Sequence, residues 1–257
     1  MNGAYEVGAV ALKAQQRALE TVANNVANLN TPAFKRADVR FAEVVSAPVD
    51  PVTETERLAR AAAAVGSGVR MTPRTMVNEL GAMQATGSPM DIAISGAGFI
   101  EVMGPNGESL LWRGGRLARD EDGYLAVEGG PALRALISIP DDISAIAIDR
   151  EGNVSASGND GEPVELGQIT LVRPGSDAGL LRAADGYYRV ADGERTYDAI
   201  PGEDGVGTLE QGMIEGSNVD MTGAMVEMLV LQRSYAAAAQ VVQAADQISS
   251  ITNNLKR

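Results

Sequence analysis

The sequence predicts an α+β protein in which heptad helices at the N- and C-termini form a coiled coil, with an antiparallel β-rich central domain inserted between them. Two stretches with apolar residues at heptad spacing, one near each end, carry the helical half of that expectation. A middle section with period-two apolar spacing and frequent glycine-containing turns carries the rest.

The first helix is expected between Asn2 and Asn28. Tyr5, Leu12, Leu19 and Val26 fall seven apart, and Gly8, Gln15, Val22 and Leu29 fill the intervening heptad positions. Pro32 removes a backbone donor and restricts the residues before it, so the helix should end near Asn28 to Asn30. Asn24, Asn25, Asn28 and Asn30 are more amides than one helix end needs. They are expected to satisfy backbone groups of a neighbouring segment or of a neighbouring molecule.

From Phe41 to Pro73 the chain reads as a linker, with Pro48, Pro51, the alanine run Ala61 to Ala64, and Gly66-Ser67-Gly68. The β pattern then holds to Glu215. Met90, Ile92 and Ile94 alternate, and Phe99 to Met103 and Ser109 to Trp112 flank a hairpin signal at Pro105-Asn106-Gly107. Further strands are expected at Tyr124 to Val127, Leu136 to Ile139, Ala145 to Ile148, Gln168 to Val172 and Tyr187 to Val190. With no intervening helices they imply antiparallel pairing.

The last helix is expected from about Ser217 onward, capped by Asn218 or Asp220. Met221, Ala224, Met228, Leu231, Tyr235, Ala238, Val242 and Ala245 form its seam, and Val241, Ala244, Ile248, Ile251 and Leu255 form a second, shifted stripe. A rod about 50 Å long with a narrow apolar seam needs a partner, and the other terminal helix supplies one. Two ordinary helices on one globular core also fit the periodicity. The expected divisions are 1–40, 41–72, 73–215 and 216–257.

Composition narrows function by exclusion. There is no cysteine and no histidine, so disulfides, thiolate nucleophiles and imidazole-based catalysis fall away. A formal net charge of −13 argues against nucleic acid and anionic membranes as partners. No run is long and apolar enough for membrane insertion, and no cleaved leader is expected. Gly96-Ala97-Gly98 precedes a strand instead of opening a helix, so it reads as a turn or bulge and not as a phosphate cradle. The acidic runs at Asp120-Glu121-Asp122 and Asn159-Asp160-Gly161-Glu162 read as turns before calcium sites. No catalytic residue, metal ligand set or cofactor is expected. A secreted, calcium-stabilised β-domain enzyme or glycan-binding module with helical ends stands as the alternative from another class.

Three runs carry a resemblance. Gln15 to Val45 resembles the N-terminal signature of the bacterial flagellar axial proteins, the rod, hook and hook-associated subunits. Gly207 to Ile248 is similar to their C-terminal signature, and Ser88 to Leu125 to the start of the central domain in rod and hook subunits. The resemblance implies a structural subunit, exported without leader cleavage by the flagellar type III apparatus. It further implies that the subunit polymerises with copies of itself into a hollow helical shaft spanning the periplasm, transmitting torque to the hook and passing exported subunits. Within the family the chain is most similar to subunits of the distal rod, with those of the proximal rod as the alternative, because the stretch after the first helix resembles one that the hook subunit lacks. The implied partners are proximal rod and hook subunits, and the P- and L-ring proteins. The implied assembly interface is Leu12, Leu19, Val22, Asn24, Asn25, Val26, Asn28 and Phe34 with Met221, Met228, Leu231, Tyr235, Val242 and Ile248. Residues 42–67 are expected to order on assembly or else to remain a plain linker. One departure is Ala33, where the family usually has glycine. If that position needs a positive φ, alanine there costs roughly 1 kcal/mol.

Overall fold

The computed structural model describes residues 2–43, 69–105, 107–140, 143–158, 163–176 and 179–255. They fall into two compact units. The first comprises residues 1–27, 37–74 and 220–257, and the second residues 28–36 and 75–219.

The first unit is helical. Helix α1 (Asn2–Ala27) and helix α2 (Met221–Leu255) pack on each other, so the two seams meet within one chain. Asp220 caps α2: its Oδ1 accepts the Thr222 amide at 3.1 Å and its Oδ2 the Gly223 amide at 3.0 Å. Between the helices in sequence, strands β1 (Ala37–Glu43) and β2 (Val69–Thr75) pair as a two-stranded ribbon. The flanks of the linker-like stretch are therefore strand, and residues 44–68 lie outside the described residues.

The second unit is built from short antiparallel strands. In chain order they are β3 (Met83–Ala85), β4 (Asp91–Ser95), β5 (Phe99–Met103), β6 (Ser109–Trp112), β7 (Gly114–Arg119) and β8 (Leu125–Val127). There follow β9 (Ile143–Ile148), β10 (Asn153–Gly158), β11 (Pro163–Gln168), β12 (Leu171–Pro174), β13 (Leu180–Arg182) and β14 (Tyr188–Val190). The last are β15 (Thr196–Ala199), β16 (Thr208–Gln211) and β17 (Met213–Glu215). A six-stranded sheet runs β13-β14-β6-β5-β12-β15 and a four-stranded one β16-β4-β7-β8. Smaller sheets pair β11-β10-β9 and β17-β3.

Register shows why period two is so legible in β5 and β6. Ile100 pairs with Trp112 and Leu171, and all three enter the main core with Ile92, Leu117 and Leu125. Phe99 pairs with Val172, and Leu111 with Tyr188, on the opposite face, where they form a second cluster with Val77. The central strands β6, β5 and β12 are thus buried on both sides, and alternate residues of one strand feed two cores.

Two expected strands are corrected. Leu136 to Ile139 is a loop: Leu136 is exposed with φ +46°, while Ile137 and Ile139 turn inward as separate pegs and Ser138 makes an isolated bridge to Tyr124. Gln168 to Val172 is not one strand either. It contains the junction at which the chain leaves β11 for β12, in a different sheet. An apolar run records burial, and here burial is reached without a continuous ladder.

Candidate assembly site

The helical unit shows where the expected seam residues lie. On α1 the most buried positions are Ala14, Ala18, Val22 and Asn25, while Leu12, Leu19 and Val26 are half-buried beside them. Two of these four buried side chains are alanines. A Cβ added at Gly8 would come within 2.6 Å of Val242 Cγ2. On α2, Ala224 and Leu231 are buried, and Met228, Ala238, Val242 and Ala245 half-buried, along the expected heptad line. Met221, Tyr235, Ile248 and Asn24 are exposed in the single chain.

The shifted stripe of α2 stays open. Val241, Ile248 and Ile251 are 67%, 60% and 58% exposed, and Val230, outside the expected stripe and 57% exposed, extends the apolar flank toward the start of the helix. Their spacing places them roughly a quarter-turn from the seam toward α1. The outward side of α1, by contrast, carries Lys13, Gln16, Arg17 and Glu20. In the seam, Gln15 Oε1 is buried with no hydrogen-bond partner among the described residues.

The asparagines have divided roles. Asn25 is buried, donating from Nδ2 to the Ala37 carbonyl at 2.9 Å and accepting the Ala37 amide on Oδ1 at 2.9 Å. Its side chain acts as an extra peptide group, fastening the end of α1 to the start of β1. Asn28 is half-buried and accepts the Thr31 hydroxyl at 3.2 Å.

In the β unit, the residues around Phe34 lie beside those after β17. Ala33 donates to the Glu215 carbonyl at 2.7 Å with φ +56°, the left-handed conformation that its position in the turn demands. Phe34 is buried, with the Arg182 guanidinium 4.0 Å from its ring centroid. Asn218 accepts the Arg36 amide at 2.7 Å on Oδ1 and donates from Nδ2 to the carbonyls of Met76 and Glu79 at 3.1 and 2.9 Å.

Beneath this joint lies a buried ionic cluster. Glu215 Oε1 accepts from Lys35 Nζ at 2.6 Å and from the Gly81 amide at 2.8 Å, and its Oε2 accepts from Arg113 Nε at 3.3 Å. Lys35 also donates to the Glu79 carbonyl at 2.7 Å, and Arg113 to the carbonyls of Gly96 and Gly98. Burial, and then the Arg113 charge, push the Lys35 ammonium below its ordinary value. Burial likewise lowers Arg113 and raises the Tyr188 phenol. Two cations on one carboxylate are tolerable here because the carbonyls of Glu79, Gly96 and Gly98 supply the remaining negative field.

The Gly96-Ala97-Gly98 turn therefore offers oxygens to a guanidinium. The Asp120 turn is closed by its own Oδ1, which accepts the Tyr124 amide at 2.7 Å. Sequence reasoning missed Lys35, Arg113 and Glu215. The available signal was a charge directly following an apolar run, as in Leu110-Leu111-Trp112-Arg113 and Met213-Ile214-Glu215.

Comparison with known proteins places these features. A flagella basal body rod protein signature matches residues 6–35, a flagellar hook protein FlgE/F/G D1 domain matches 93–156, and a flagellar basal body rod FlgEFG C-terminal signature matches 210–255. The flagellar basal-body rod protein FlgG of Borreliella burgdorferi is 33% identical over the whole of both chains. FlgG of Agrobacterium fabrum is 31% identical over 98% of this chain and 99% of its own. FlgF of Caulobacter vibrioides is 29% identical over 97% and 96%. With its paired terminal helices, its β unit and its two signature segments joined at Glu215, the chain belongs to the flagellar basal-body rod protein family.

Proposed function

We propose that copies of this chain, a structural rod subunit, join through the open flank of α2 to build the distal part of a hollow shaft. The carrying observation is the stripe Val230, Val241, Ile248 and Ile251, left in water although the same helix already has its partner α1. The polar outward side of α1 offers this stripe no apolar surface. A neighbouring copy's α2 does, in a repeated, non-closing contact.

The full-length FlgG relatives support the distal position over the proximal one. The partners we propose are proximal rod and hook subunits at the two ends, P- and L-ring proteins around the shaft, and the type III export apparatus as the route out. Residues Leu12, Leu19, Val22, Val26, Met228, Leu231 and Val242 hold the helices together, and Asn24, Met221, Tyr235 and Ile248 face the neighbours.

Val241→Asp with Ile248→Asp tests this. Both positions are exposed in the single chain, so helicity by circular dichroism should persist while sedimentation shows only monomer. Native-like polymer from the double variant would refute the interface. Leu231→Asp should instead lose helicity and assembly together, because a desolvated carboxylate in the seam has no partner.

A further inference from the structure

Attraction and net charge sit on different parts of this chain. The helical unit holds 10 acidic and 10 basic residues and is neutral; the β unit holds 24 acidic against 11 basic and carries the whole net charge of −13. Apolar contact between α2 flanks involves no charge, so it brings copies together with little dependence on salt. Every copy added also brings another strongly acidic β unit, with carboxylates such as Glu121, Glu151, Glu165, Asp192, Glu194 and Glu203 exposed to solvent.

We propose that this like charge is a brake on self-assembly that dissolved cations release, so that ionic strength sets the concentration at which copies join. The inference rests on the self-assembly reading above. The physical basis is range: the field of exposed charges reaches about 30 Å at 0.01 M salt but only about 8 Å at 0.15 M. In dilute salt the β units of adjacent copies repel across distances comparable with their own size, and at higher salt they do not. An open apolar flank would otherwise associate wherever two copies met. A charge-neutral helical unit combined with an acidic β unit separates the drive to assemble from its control.

The experiment measures the critical concentration for polymerisation of the full chain by sedimentation at about 0.01 M and about 0.3 M sodium chloride. A second chain carries E121Q, E151Q, E165Q, D192N, E194Q and E203Q, which roughly halves the net charge of the β unit. A third carries R173Q and R195Q, two exposed positions whose loss makes that unit more acidic. The native chain should need at least about tenfold less protein at the higher salt. The first variant should polymerise readily in dilute salt, with less than about threefold dependence, and the second should require more protein than native there. An equal salt effect in all three chains would overturn the brake and leave self-assembly standing. Absence of polymer from the native chain at every salt concentration would instead overturn the self-assembly reading and the brake with it.

Discussion

Glu215 holds two cations, Lys35 and Arg113, and the three are not equivalent. Removing Lys35 leaves a balanced Arg113–Glu215 pair, whereas removing Glu215 leaves two buried cations facing each other. Glu215→Gln should therefore lower the stability of the β unit by about 3–5 kcal/mol, and Lys35→Met by no more than about 2. Urea unfolding followed by the fluorescence of Trp112, the sole tryptophan, reads both, and equal losses would contradict this ranking. Ala33 makes the opposite kind of change possible. Its φ of +56° is strained for a residue with a Cβ, so Ala33→Gly should stabilise by up to about 1 kcal/mol in the same measurement. The conditional expectation drawn from Ala33 was legible because one residue type fixes the backbone question. The ionic cluster was not legible: its members lie 180 and 102 residues from Glu215 in the chain, and no local pattern records such a meeting.

Among the elements, the helices were the easiest to read and the shortest strands the hardest. Heptad spacing over 35 residues leaves little ambiguity about α2, and its Asp220 cap follows from residue type. Strands β13 and β15 to β17 have three or four residues each, too few for a period to show, and they form because neighbouring strands offer a ladder; β14, equally short, was expected at Tyr187 to Val190. Burial adds Ala14 and Ala18 to the α1 positions that spacing singled out, with Leu12 and Leu19 half-buried beside them. Gly8 lies as close to its surroundings. Leucine has the better helix propensity by about 1 kcal/mol, yet its Cβ would meet Val242 Cγ2. Overpacking should win, and Gly8→Leu should lower the thermal stability of the helices by about 1–3 kcal/mol, as followed by circular dichroism. A rise in melting temperature would show that Val242 yields to the larger side chain.

For the molecule as a whole, the architecture was readable because two different periodicities divide the chain, while the placement of the neutral and acidic halves became visible only once the units were known. No helix among the described residues is long and apolar enough to cross a membrane. The reciprocal bonding of Asn25 and Ala37 has a practical corollary. An amide proton normally exchanges with solvent according to the strand or helix it belongs to, but that of Ala37 is shielded by a side chain from another element. Deuterium uptake at this one position is thus a built-in gauge of whether α1 has formed up to its end. The gauge works equally in a lone chain and in a growing polymer.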